Sequence, residues 1–88
     1  MSESLRIDKW LWHARFYKTR TLAQAMTKEG RVRLNDSRIG KAHARVKPGD
    51  ILTFSMGGKV VVVRVLGLGE RRGPATEARG LYEIVEGA

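Results

Sequence analysis

Cysteine is absent from these 88 residues. No disulfide or thiolate metal site can support the fold, and a reducing compartment, the cytoplasm, is the expected setting. Histidine is scarce: His13 and His43 alone could not close a metal site, so no metal or other cofactor is expected. Long apolar runs are missing too. The longest, Val60-Val61-Val62-Val63, falls far short of the ~20 residues that cross a bilayer. Residues 1–5 lack the apolar core of a secretion signal, so no membrane association is expected. There are no internal repeats and no low-complexity segment. The length fits one domain, 1–88, with a thin core and a modest stability margin.

Catalytic constellations are equally lacking. The nine acidic residues are spread along the chain, and most read as caps, turns or surface charges. No pair of them sits at a spacing that demands a general acid and base. Serines 2, 4, 37 and 55 have no nucleophile-elbow context. Gly67-Leu68-Gly69 lacks the continuation of a phosphate-binding fingerprint. The expectation is no enzyme and no catalytic residue.

What the chain does have is positive charge, unevenly placed. Residues 6–47 hold twelve Lys and Arg against three Asp and Glu, a net of +9. Residues 51–88 hold five against four, a net of +1. A surface built only for solubility mixes the signs. One-sided charge raises affinity and association rate for a polyanion.

The hydrophobic pattern places these charges. Asp8 can cap a helix over 8–16, with Ile7 preceding it. Ile7, Trp10, Leu11 and Ala14 form its apolar side, and Arg6, Lys9, His13 and Tyr17 fall beside it. Trp10 reads as core and His13 as a surface polar contact. Trp12 and Tyr17 stay between packing and stacking on an unpaired base. Thr19 can cap a second helix over 20–29, with Leu22, Ala23 and Met26 inside and Gly30 as a left-handed stop. The two helices read as a hairpin.

The period then switches to two. Val32 and Leu34 alternate with Arg31, Arg33 and Asn35, a strand with a basic outer face. Asn35-Asp36-Ser37 is a turn in which Asn35 can bond its own backbone. Residues 38–45 read as basic and irregular, and Lys47-Pro48-Gly49-Asp50 as a turn. Strands are expected over 51–54 and 59–66, a loop over 67–73, one helical turn over 75–80 and a last strand over 81–85. The four valines fit either burial on both faces or a twisted strand in a small sheet.

One local conflict points to a ligand. Lys18 and Arg20 stand at the start of the second helix, where the dipole disfavours cations by a few tenths of a kcal/mol or more. An external phosphate on the free amides would reconcile them; the plain alternative is two side chains extended into water. Arg20, Gln24, Lys28, Arg31 and Arg33 can then present a spread of donors along a nucleic-acid backbone, or simply a solvated basic face.

Leu5-Arg6-Ile7-Asp8-Lys9-Trp10-Leu11, Lys18-Thr19-Arg20-Thr21-Leu22-Ala23, Glu29-Gly30-Arg31-Val32-Arg33-Leu34-Asn35 and Val46-Lys47-Pro48-Gly49-Asp50-Ile51 together resemble the S4 RNA-binding domain family. The stretch from Trp10 to Arg20, with Glu70-Arg71-Arg72-Gly73-Pro74-Ala75, is similar to the ribosome-associated bacterial 15-kDa heat-shock proteins within that class. The resemblance implies an α+β fold, the S4-type αL motif, with two short helices on a small, mostly antiparallel sheet. Residues 5–54 would be the core motif and 55–88 the C-terminal strands and loop. It implies an RNA face of Arg6, Lys9, Arg15, Lys18, Arg20, Gln24, Lys28, Arg31, Arg33 and Lys41. The implied partner is structured RNA, above all large-subunit ribosomal RNA on subunits that still carry peptidyl-tRNA, bound by a monomer. Two departures stand out: Asn35-Asp36 where Asn-Gly is common, and a chain that stops at Ala88, before the basic extension of the better-known relative. Rival readings are a DNA-binding module, including one for single-stranded DNA, and a module for an acidic protein partner.

Overall fold

The computed structural model describes residues 3–35, 37–39 and 44–87. Two helices and a short third pack on an antiparallel sheet, the α+β architecture that the S4 resemblance implies. Helix α1 spans Ile7–His13 and α2 spans Arg20–Lys28; α3, Ala75–Ala78, runs on into a 3-10 turn, Arg79–Leu81. Strands β1 (Leu5–Arg6) and β4 (Arg45–Val46) pair with each other. The main sheet comprises β2 (Val32–Leu34), β3 (Ser37–Ile39), β5 (Ile51–Met56), β6 (Lys59–Val65) and β7 (Tyr82–Gly87) in the order β3-β2-β5-β6-β7, every pairing antiparallel. Residues 38–45, read as irregular, thus supply most of β3 and the first residue of β4; the middle of that stretch lies outside the described residues.

The core lies between the helices and one sheet face. Ile7, Trp10, Leu11 and Ala23 from the helices meet Val32, Leu52, Phe54, Val63 and Val65 from the sheet, all buried. The valine run resolves as a twisted, one-sided strand: Val63 is buried, Val61 packs on the core, and Val60 is half exposed. Period two wins because only one sheet face carries helices. Thr19 caps α2 as expected, its hydroxyl accepting from the Leu22 amide at 3.0 Å. Gly30 has φ 75°, the left-handed stop.

Other expectations change too. Leu22, expected on the inner side of α2, is 43% exposed, while Ala23 is buried. α1 ends at His13 rather than 16, because Arg15 turns left-handed at φ 65° and lets Phe16 fold back into the core. Asp8 is not the cap; Arg6 occupies that position and Asp8 lies in the first turn with no solvent exposure. His13 is buried, its Nδ1 3.2 Å from the Leu68 carbonyl oxygen. Asn35, at φ 56°, bonds across strands and not within its own turn: its Oδ1 accepts from the Ile51 amide at 3.0 Å.

Candidate RNA interface

One part of the basic surface is built around an anion. The Asp8 carboxylate accepts from Arg6 through Nε and Nη2, each at 3.2 Å. Nε of Arg20 lies 3.5 Å from the same carboxylate, and the Lys9 amide donates to it at 2.9 Å. Burial works to push the Asp8 carboxyl up; hydrogen bonds from the Gln24 amide and Arg6, with the charges of Arg6 and Arg20, overcome it and leave the group below the usual aspartate value of 3.8. Asp8 therefore stays ionised, held by two hydrogen bonds from Arg6 and by the charge of Arg20, whose Nε is buried beside it without a hydrogen bond among the described residues. The outer N–H groups of both arginines remain available, since the two side chains are 39% and 38% exposed. Guanidinium groups fixed in this way can meet phosphate oxygens without first losing rotamer freedom.

This arrangement brings Arg6, ahead of α1, together with Arg20 and Gln24, one turn apart on α2. Lys9 adjoins them through its amide, and Lys18 stands two residues ahead of Arg20, exposed. α2 has no acidic residue in its first turn, and Thr19 satisfies one amide there. Lys28 lies on the same side of α2, two turns beyond Arg20 and about 12 Å along the axis.

Arg31 and Arg33 stand apart from that cluster. Val32 and Leu34 face the core, so Arg33 leaves the opposite face of the sheet. With Arg31, Thr53, Ser55 and Val60 it lines an open depression of about 330 Å³. Arg31 also pairs with Glu29 at 3.0 Å, both exposed. Arg15 is on the other flank of α1, where its Nε donates to the Gly73 carbonyl at 2.6 Å. Lys41 lies outside the described residues, as do Asp36 and His43. Of the nine described residues of the expected face, Arg6, Lys9, Arg20 and Gln24 lie near Asp8, Lys18 and Lys28 flank them at the two ends of α2, Arg31 and Arg33 line the outer sheet face, and Arg15 is tied to a loop.

The aromatics divide clearly. Trp10 is core, and its indole N–H donates to the Gly67 carbonyl at 2.8 Å. Tyr17 is buried, with its hydroxyl 3.3 Å from the Ser55 carbonyl oxygen, and burial pushes its phenol up against the opposing charge of Arg31. It offers no ring for a base. Trp12 keeps partial exposure, with the Arg72 guanidinium 5.8 Å over its ring. The site residue that sequence reasoning missed is Asp8. The only signal for it was an acidic residue flanked by Arg6 and Lys9, which a capping role explains equally well.

A family model for the S4 domain matches residues 5–52. Heat shock protein 15 of Escherichia coli (strain K12) is 46% identical over 79 residues, covering 90% of this chain and 59% of that protein. The heat shock protein 15 homolog of Haemophilus influenzae is 39% identical over 84 residues, covering 96% and 63%. The chain therefore spans about three fifths of the length of these two relatives. The RQC P-site tRNA stabilizing factor of Bacillus subtilis (strain 168) is 39% identical over 82 residues, covering 93% of both chains. Among solved structures, the heat shock protein 15 of Vibrio cholerae, described as trimeric, superposes with a TM-score of 0.89 at 38% identity, covering 94% of this chain and 83% of that one.

Proposed function

The chain belongs to the S4 domain family, and from that premise we propose that it binds structured ribosomal RNA on the large ribosomal subunit and performs no chemistry of its own. The observation that carries the reading is the Asp8 clamp, which holds Arg6 and Arg20 with their outer N–H groups exposed beside the start of α2. A-form RNA hides its base edges in a deep groove, so proteins read it through phosphate and 2′-hydroxyl positions. Fixed guanidinium groups suit that task, and Lys9, Lys18 and Lys28 add diffuse attraction.

The finer reading is a role on stalled large subunits that retain peptidyl-tRNA. One relative supports it by name: a factor named for stabilising P-site tRNA that this chain matches over 93% of both lengths. The site would work in the cytoplasm and in a monomer, since one chain supplies the whole Asp8 cluster. The rival, a DNA-reading module, would draw on the same basic side chains, and direct competition between duplex DNA and ribosomal RNA separates the two.

Filter binding of large-subunit ribosomal RNA across a salt series tests the proposal. Log affinity should fall steeply and linearly with log salt. Lys18→Glu with Lys28→Glu, both exposed and outside the Asp8 contacts, should weaken binding by at least about tenfold while circular dichroism and melting stay near wild type. A flat salt response, or preference for duplex DNA in direct competition, would overturn it.

A further inference from the structure

A second feature of α1 has no part in the Asp8 cluster. The segment 67–73 is fastened along the helix by three side-chain bonds: Trp10 to the Gly67 carbonyl, His13 to that of Leu68, and Arg15 to that of Gly73. The fit is close. A Cβ on Gly69 would come within 3.1 Å of Leu81 and 3.4 Å of His13. Gly73 is buried, and a Cβ there would run into the Glu77 carboxylate. These contacts hold the segment in place without help from Arg72 or Trp12. Arg72 nonetheless lies over the Trp12 ring, and its Nε has no acceptor among the described residues. Arg71 beside it is 71% exposed and pairs only with the exposed Glu77. Lys9, one helical turn before Trp12, completes a basic surround, against which Glu70 and Glu77 are the nearby acids by sequence and pairing.

Resting on the RNA-binding reading above, we propose that Trp12 and Arg72 form a stacking platform for one unpaired nucleotide of the bound RNA, with Arg71 on its phosphate. Bases stack on indole rings and on guanidinium planes, and every base has a face to offer. A paired base does not fit this role, because a duplex keeps its faces inside the stack. Trp12 is six residues beyond Arg6, about 9 Å along the axis, so a single strand leaving a helix gripped at Arg6 and Arg20 reaches the platform. The bland function of the pair, holding the loop on α1, is already met by the three bonds named above.

The test uses a hairpin RNA with a short unpaired 3′ overhang and the same hairpin with a blunt end. Trp10 is fully buried, so quenching of tryptophan emission by contact reports Trp12. The overhang RNA should quench wild type and the blunt RNA should not; Trp12→Phe should remove the quenching. Arg71→Ala with Arg72→Ala should weaken overhang binding about tenfold and reduce the salt slope by one to two units, with blunt-hairpin affinity and melting temperature little changed. Binding of both RNAs without quenching, or equal weakening of both by the double variant, overturns the platform and leaves the RNA-binding reading intact. Failure of wild type to bind either RNA overturns both.

Discussion

A carboxylate without solvent exposure can remain ionised only if its neighbours replace the water it has lost. Asp8 meets that condition through Arg6, Arg20 and Gln24. Its folded value is depressed, so its contribution to stability is fully present above the ordinary aspartate value of 3.8 and is lost as pH falls through the folded value. Asp8→Asn should therefore destabilise the protein at pH 7, by roughly 1–3 kcal/mol. The figure stays below that of a fully buried pair because both arginines are more than a third exposed and can rehydrate. Urea melts of wild type and variant at neutral pH and below pH 4 would show the gap narrowing in acid. The same variant makes the surface one charge more positive, which alone would tighten RNA binding. If positioning of Arg6 and Arg20 matters more, affinity falls, and the filter-binding assay reads the sign directly.

At the scale of elements, α2 carries Arg20 at its first position and Lys28 at its last, with Lys18 just ahead of it, so its start has to be held in spite of two cations. No acid stands in its first turn, so the Thr19 cap is the sole side-chain acceptor there among the described residues. Thr19→Ala should cost about 1 kcal/mol, visible as a lower urea midpoint with an unchanged slope. It should also weaken RNA binding more than that stability loss explains, because fraying moves Arg20 away from Asp8. α1 shows the complementary case. Its apolar side, Ile7, Trp10 and Leu11, is buried as the helical period requires, but its length is set from outside. Phe16 packs edge-on against Phe54 at 4.8 Å and close to Tyr82 at 4.5 Å, and the helix must stop early to let it.

For the molecule as a whole, the family match ends at residue 52, yet the core does not. Val63 and Val65 on β6 are fully buried against the same cluster as Ile7 and Leu11, and Trp10 bonds to Gly67. Removal of β6 would strip the inner face of β5 of one neighbour and expose Leu52 and Phe54. We expect a fragment of residues 1–58 to lack a cooperative thermal transition, as followed by circular dichroism, so that 5–54 is a motif within one folding unit and not a separable domain. A cooperative melt of that fragment would show the opposite. In so small a chain, loss of two buried valines and their partners consumes much of a stability that is only ~5–15 kcal/mol in ordinary domains.

The two-helix hairpin with its Thr19 cap and Gly30 stop, the single-faced β2 strand with Arg33 outward and the one-sided charge are legible from the residues alone, and the family resemblance carries the α+β class. The former are local matters of period, capping chemistry or composition, and a chain expresses them without knowing its distant partners. What Asp8, His13, Tyr17 and Asn35 bond to, and where α1 ends, came from the packing of distant segments. Those outcomes depend on residues between 16 and 55 positions away: Gln24, Leu68, Ser55, Ile51 and Phe54. A buried polar group takes whichever partner the packing brings within reach, and that choice is made by the assembled core and not by its neighbours in the chain.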